Sequence, residues 1–398
     1  MAIDCSDDHR VVESGLMRTL LVDATSLSKN PKGVGKYAYE VLVRLDHLLP
    51  QSWRIILVIS REPMPELNCT QRLTKIVVAP KSSLRLGLKT IPALIRHTRA
   101  DLLLRLCDDV GRRYSVPTLT VCHDINELIA RVQKGEYHFF RGMINGVKEF
   151  FRVWALRAST MVVCNSEFTR QQCVSRYGVE KKKTTIGYCG VANDFYRVNR
   201  DEAVWRTKSA FGCEHYVLCF ATGDPRENYA IISDIITATK RIGLSAKYVI
   251  AGIQEGQSYV WDLKRSLLDH APDEDYFLVP FLGSGEMQEL CDLYAAADYY
   301  LELSLHEGFG MQLAEAMACG TQCLAPTHSA LTEVGSSFVL HIDPTDVSNI
   351  ADTIVSGYEQ QLHKQNHVDQ ITYTRRFSWD KTASVIAKSL IELEVEIL

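Results

Sequence analysis

Short apolar runs, the first of them followed by a glycine-bearing loop and a helix pattern, constrain this chain more than any other feature. Leu20-Leu-Val22 is the first run, Trp53–Ile59 the second and Lys75–Ala79 the third. Runs that are apolar throughout, rather than alternating, suit strands buried on both faces of a parallel sheet. After the first run a loop ends in Pro31-Lys-Gly-Val-Gly-Lys-Tyr37, and Tyr39, Val41, Leu42 and Leu45 then recur at helical spacing. Strand, glycine loop and helix form the opening unit of a doubly wound α/β domain, where ligands gather outside the carboxyl ends of strands. Gly33 and Gly35 do not complete a dinucleotide fingerprint, because Ala38 stands where a third glycine would fall. A tight turn before a helix accounts for them equally well. Met161-Val-Val-Cys164 extends the series, with Ser166 as a candidate N-cap. The charged stretch from Arg197 to Lys208 reads as a linker. A second set follows, with strands at Tyr216–Ala221, Lys247–Gly252, Phe277–Val279 and Tyr299–Leu303. At 398 residues the chain exceeds one ordinary core, so two α/β domains are expected. The reading is a flexible tail over 1–17, a first domain over 18–196, a second over 197–374 and a terminal helix over 375–398.

Composition narrows the function classes. The net charge of −4 gives no bias towards nucleic acid, and no apolar run reaches the length of a membrane span. Met1–Gly15 is acidic and polar and lacks the apolar centre of a signal peptide, which speaks against an exported sugar-binding protein. Twelve cysteines without a C-x-x-C pair read as reduced, mostly buried thiols of a cytoplasmic protein, not as a zinc site or disulfide framework. Between residues 81 and 105, Lys81, Arg85, Lys89, Arg96, Arg99 and Arg105 interleave with leucines and isoleucines. Two readings stand: a peripheral contact with an anionic membrane, or a solvated helix face covering a core, the second being favoured. Pro92 argues against one uninterrupted helix there. The region from Glu136 to Arg157 is aromatic, basic and helical, and includes Tyr137, Phe139, Phe140, Arg141, Phe150 and Trp154.

Two places carry candidate chemistry. Leu119-Thr-Val-Cys-His123-Asp124 is a strand ending in a polar pair, in which His123 could donate to a sugar hydroxyl or phosphate and Asp124 could orient it. In Ser304–Gly320, Gly308 and Gly310 bracket Phe309, and Met311, Ala314 and Ala318 then recur on one helix face. Gly320 stands where a helix C′ residue belongs. Glu307 precedes the helix and Glu315 lies about one turn inside it. Glycines admit close backbone approach and a helix start presents amides, so the place suits a ligand that is part phosphate and part polyol. An acidic residue near a first turn also stabilises the helix dipole by roughly 0.3–1 kcal/mol with no ligand at all.

The same stretch resembles the E-x7-E signature of retaining, nucleotide-sugar-dependent glycosyltransferases of family four, written S-x-x-E-G-F-G-x-x-x-x-E-A-M-A-x-G. Every defining position from Ser304 to Gly320 is present. Gly33-Val-Gly-Lys-Tyr37, His123-Asp124, Val163-Cys-Asn-Ser-Glu-Phe-Thr-Arg170 and Val249-Ile-Ala-Gly252 are similar to further family motifs. The resemblance implies a GT-B fold, two Rossmann-like doubly wound domains facing across a cleft, with the terminal helix crossing back to the first. It implies a nucleoside diphosphate sugar as donor, no cofactor and no metal. GT-B enzymes do not use the D-x-D motif that Asp273-Glu-Asp275 mimics. By the same resemblance Glu307, His123 and Asp124 face the donor sugar, and Glu315 accepts from the ribose hydroxyls. Gly33, Gly35, Arg226, Gly308, Phe309, Gly310 and Met311 lie about the diphosphate, and the loop at Leu282 borders the base. Two departures stand out: Cys189 replaces the family asparagine, and Glu227 replaces the lysine that balances the leaving diphosphate. The second leaves open a GT-B partner subunit without catalysis. GDP-mannose and UDP-sugars are the donors implied. The acceptor is a lipid-linked glycan, a polysaccharide end or a small molecule.

Overall fold

The structure, a computed structural model, describes residues 17–27, 33–60, 73–78, 82–124, 139–213, 215–271, 273–365 and 367–395. Met1–Gly15, Pro31, Lys32, Ala79, Lys81, Glu136 and Tyr137 lie outside the described residues, as do the side chains of Phe139, Phe140 and Arg141. The first sheet comprises β1 Arg18–Asp23, β2 Trp53–Ile59, β3 Leu73–Val77, β4 Leu102–Arg105, β5 Thr118–Cys122, β6 Met161–Cys164 and β7 Thr184–Ile186. Its order is β3-β2-β1-β4-β5-β6-β7. The second comprises β8 Tyr216–Phe220, β9 Lys247–Ile253, β10 Tyr276–Pro280, β11 Tyr299–Leu301, β12 Gln322–Pro326 and β13 Leu340–Ile342, in the order β10-β9-β8-β11-β12-β13. Every pairing is parallel. Strands such as Ile55–Ile59 and Leu102–Leu104 are buried on both faces, which is why they read as continuous apolar runs. The strand order reverses between β1 and β4 and between β8 and β11. Loops leaving the strands on either side diverge there and open a crevice.

The helices that position the site are α1 Val34–Leu48, α2 Ile91–Thr98, α3 Glu167–Ser175, α4 Arg200–Phe211, α5 Met287–Ala296, α6 Met311–Ala318, α7 Ser329–Gly335 and α8 Trp379–Val395. Helix α8 lies on the first sheet's side of the molecule. Arg18 pairs with Glu394 at 3.2 Å, Arg44 pairs with Asp380 at 2.6 Å, and Trp379 meets the Tyr37 ring edge-on at 5.5 Å. One apolar cluster runs from Leu20 and Trp53 through Phe195 and Phe377 to Tyr294, Phe309 and Met317, so the two sheets share a core across the cleft floor.

Two expectations change. The charged stretch taken as a linker contains α4, capped by Asn199 and packed through Ala203, with Arg206 pairing to Asp292 of α5. Its charges face outward from a helix; they do not mark an extended connection. In the basic region Leu86, Ile91 and Ile95 enter the core while Arg85, Lys89, Arg96 and Arg99 stay exposed. The interruption expected at Pro92 takes the form of a π-turn over Leu86–Thr90, in which the Ile91 N–H donates to Leu86 O just before the proline. Arg105, expected on the same face, instead ends β4, is 1% exposed, and donates from Nη2 to the carbonyls of Asp109 and Val110. Among the described residues no helix is long and apolar enough to cross a membrane.

Candidate active site

Helix α6 begins at Met311 behind Gly310, whose φ of +94° places it in the left-handed region that favours glycine. No side chain caps this end and no acidic residue sits in its first turn, so its leading amides and positive dipole end are left for a ligand. The other end closes as a Schellman motif: Gly320 N–H donates to Met317 O and Thr321 N–H to Ala316 O, with Gly320 at φ +78°. Gly308 is glycine for a different reason. A Cβ there would stand 1.9 Å from the His123 carbonyl oxygen, so the loop after β11 lies directly against the end of β5. Gly308 O accepts from Ser166 Oγ at 2.7 Å and Thr169 Oγ1 at 3.1 Å, both at the start of α3. Ser166 is also the N-cap of that helix, accepting from Thr169 N. Phe309 is buried in the shared core beside Tyr188 and Phe377, so only its backbone can serve a ligand.

Glu315, Asp124 and Glu333 each have partners across the cleft. Glu315 is buried and accepts from Lys36 Nζ at 2.6 Å and from Tyr294 OH at 3.3 Å. Lys36 sits in the first turn of α1, which starts at Val34, so Gly35 is helical, a correction to the loop the sequence reading placed it in. Gly33, at φ +46°, precedes that helix and is open to solvent. Asp124 accepts from Arg226 Nη1 and from His306 Nε2, the latter at 3.2 Å. Arg226 is also held by Asp224, with Nη2 to Oδ2 at 2.8 Å. Its backbone carbonyl accepts from Leu305 N, which ties the loop after β8 to the loop after β11. Glu333 of α7 receives the amides of Glu167 and Phe168 at 3.1 Å each and the Tyr188 hydroxyl at 2.6 Å. These contacts hold the cleft closed.

His123 is 7% exposed, and its Nε2 donates to Leu106 O at 2.8 Å, which leaves Nδ1 as an acceptor. Burial lowers its basicity, so the ring is neutral at neutral pH. The Asp124 carboxylate is directed at Arg226 and His306, and the carbonyl of Leu106 orients the imidazole. Glu307 is half-buried. Its carboxyl is pushed up to about 8 by desolvation first and by the Glu302 charge second, with Arg226 opposing. Glu227, in the lysine position, turns back on its own loop and accepts from the N–H and the hydroxyl of Thr222. It therefore closes the loop after β8 and does not reach over it. Leu282 is half-buried in the loop after β10, at the same edge of the sheet. Asp273 and Asp275 are occupied elsewhere: the first accepts from Tyr276 OH and the second pairs with Lys240 and Lys247. Among the described residues no group of three His, Cys, Asp or Glu side chains is placed to hold a metal ion. The ten described cysteines are free thiols, eight of them buried.

Lys36, His306, Glu302, Ser166, Thr169 and Glu333 were not among the residues read from the sequence as site residues. Lys36 lies inside the quoted Gly33-Val-Gly-Lys-Tyr37 motif, and His306 lies beside Glu307, so both had a local signal. Glu333 and the two hydroxyls act only once the domains meet.

Two parallel doubly wound sheets facing a cleft define the GT-B class. Solved structures of that class align over almost the whole chain. Sucrose-phosphate synthase from Thermosynechococcus elongatus gives a TM-score of 0.73 at 14% identity, covering 95% of this chain and 100% of that one. Anabaena HepE in complex with UDP and glucose gives 0.70 at 17% identity, covering 94% and 100%. At such identities the likeness concerns the fold. The family described as glycosyl transferases group 1 matches residues 205–376, and the one described as glycosyltransferase family 4 matches residues 31–195. The chain belongs to the GT-B glycosyltransferases of group 1. A relative by sequence is the O-antigen chain mannosyltransferase B of Escherichia coli, 22% identical over 229 residues, 57% of this chain and 59% of the relative. The match thus spans little over half of that relative's length.

Proposed function

We propose that this chain is a retaining glycosyltransferase that moves a hexose from a nucleoside diphosphate sugar to an acceptor hydroxyl in glycan or glycoconjugate biosynthesis. The observation that carries the reading is the uncapped start of α6 at the second sheet's switch point, flanked by Glu307 and Glu315 and faced by Arg226 and Lys36. The α6 amides and Arg226 receive the diphosphate, and the Leu282 loop borders the base. Lys36 exchanges its carboxylate partner for a phosphate as Glu315 takes the ribose hydroxyls. Glu307 and His123 contact the sugar from opposite sides of the cleft. Positive groups fixed in place before reaction favour departure of the diphosphate. The bond from the anomeric carbon to the phosphate oxygen breaks, and the acceptor oxygen bonds to that carbon on the same face. The acceptor proton passes to the leaving phosphate, with no covalent enzyme intermediate, no cofactor and no metal.

GDP-mannose is the first donor to test, in keeping with the mannosyltransferase named above, and UDP-sugars are the second. The acceptor is a lipid-linked glycan, a polysaccharide end or a small molecule. The exposed Arg85, Lys89, Arg96 and Arg99 give a lipid-linked acceptor's membrane a basic face, and the place of action is the cytoplasm. Residues 18–196 form the acceptor side and 197–374 the donor side. The test is turnover of GDP-mannose, UDP-glucose and ADP-glucose by wild type and Glu307→Ala, with lipid-linked and soluble acceptors. Release of nucleoside diphosphate by wild type and its loss in the variant support the enzyme. A second reading, a GT-B partner subunit without catalysis, is favoured by Glu227 alone. Nucleotide binding without turnover, unchanged in Glu227→Lys, would favour it.

A further inference from the structure

We infer that Arg152 and Asp108 are positioning residues for His123: their ion pair holds the loop after β4 so that the Leu106 carbonyl faces the imidazole and fixes which ring nitrogen meets the donor sugar. The inference rests on the donor-site reading above, in which His123 contacts the sugar, and deepens it. The Leu106 carbonyl can only accept, so the Nε2 that lies 2.8 Å from it carries the proton. In the neutral ring Nδ1 is then an acceptor, which suits a sugar hydroxyl. The Tyr37 ring, edge-on at 4.7 Å, holds the plane of the imidazole but does not choose between its nitrogens. Asp124, the carboxylate next to His123 in sequence, does not choose either, because it is directed at Arg226 and His306. The choice falls to Leu106, and so to whatever holds Leu106 in place.

Asp108 follows on the same loop and is 8% exposed. Its Oδ2 accepts from Arg152 Nη2 at 2.5 Å, from Arg152 Nε at 3.1 Å and from Cys122 Sγ at 3.4 Å. Cys122 ends β5 and directly precedes His123, so the loop is tied to that strand end at two points, Leu106 and Asp108. Arg152 reaches Asp108 from the helix Phe139–Ala158, with its Nη1 donating to Glu149 at 3.4 Å. The far end of the loop is held by Arg105 through the carbonyls of Asp109 and Val110. Two arginines thus brace one short loop, and the carbonyl between them faces the imidazole. Without Arg152 the Asp108 carboxylate is an unpaired anion in a buried place. Turning it out to water draws the loop with it and takes Leu106 O away from Nε2, and the ring proton can then sit on either nitrogen.

The test uses the full chain labelled with 15N-histidine and no ligand, its His123 signals assigned by their loss in His123→Gln. Wild type shows a neutral ring protonated on Nε2. Arg152→Met shows a mixture of tautomers. Its kcat falls by about 10–100-fold, the scale seen when the group orienting a ligating histidine is lost. The Kd of GDP and of UDP stays at the wild-type value, since neither carries the sugar. Arg152→Lys keeps the charge without the paired N–H groups and moves tautomer and kcat part of the way, and it decides alone if Arg152→Met does not fold. A wild-type ring protonated on Nδ1, or a folded variant in which either the tautomer or kcat stays at wild type, overturns the inference and leaves the donor site standing. A folded wild type that binds neither nucleotide overturns the donor site, and the tautomer, read without ligand, still decides whether the brace acts on His123.

Discussion

Gly308→Ala separates domain closure from folding. The added methyl would stand 1.9 Å from the His123 carbonyl oxygen and 3.1 Å from its carbon, both backbone atoms that cannot rotate away. The three nearest atoms all belong to the other side of the cleft, Asn165 Nδ2 at 3.4 Å being the third. The variant therefore folds normally in each half and resists closing. Overpacking of this kind costs about 1–3 kcal/mol. At 1.36 kcal/mol per decade, that is about a 5- to 150-fold shift toward the open form. Gly308 O also loses its place against Ser166 and Thr169, which adds to the loss. Small-angle scattering should show a larger radius of gyration without donor, and kcat/KM should fall by the same factor while the thermal transition of the second domain stays. Scattering and kcat/KM both equal to wild type would refute the argument that this contact closes the cleft.

Lys36→Met leaves the buried Glu315 carboxylate without its cation. The expected result is a stability loss of about 3–5 kcal/mol, as for other broken buried pairs, read by chemical denaturation, together with a raised donor KM. Glu227→Ala frees the Thr222 N–H and hydroxyl and should cost about 1–3 kcal/mol, whereas Glu227→Gln retains an acceptor and should cost less. Equal losses would show that the carboxylate does not close the loop. Glu333→Gln should shift the resting state toward open, since two amides and the Tyr188 hydroxyl converge on that carboxylate, and scattering reads it directly. His123 is held neutral in the fold, so its folded value lies below the ordinary one. Stability is full above the ordinary histidine range and falls as pH drops through it, because the unfolded chain gains the proton first. Denaturation at pH 5.5 and 7.5 should show that fall, and it should be smaller in His123→Gln.

Much of the frame was legible because its signals are local. Trp53–Ile59 is a strand at the bounds its apolar run sets, and Gly320 ends α6 where a positive φ is needed. Ser166 caps α3, as its position before Glu167 implies. What stayed hidden depends on neighbours distant in sequence. Arg105 looks like one more basic surface residue until β4 is seen between β1 and β5. The Arg197–Lys208 stretch is too charged to show an apolar face, although Ala203 and Thr207 are enough to seat α4. The E-x7-E spacing placed Glu307 and Glu315 on one frame but said nothing of Lys36, 279 positions away from the carboxylate it holds. Glu227 shows the limit most clearly. As a letter it is a charge reversal beside a diphosphate, and in the fold its oxygens are turned to Thr222.

The central claim is that Glu307, Glu315, Arg226 and the start of α6 form a donor-sugar site that turns over. It is tested most directly by following GDP-mannose and UDP-glucose consumption by NMR with the anomeric proton in view. The account predicts release of nucleoside diphosphate with the configuration at the anomeric carbon kept in the product, and loss of both in Glu307→Ala. A product of inverted configuration would contradict the retaining mechanism. Bound but unconsumed donor, across both sugars and in the presence of lipid-linked and soluble acceptors, would contradict the enzyme itself.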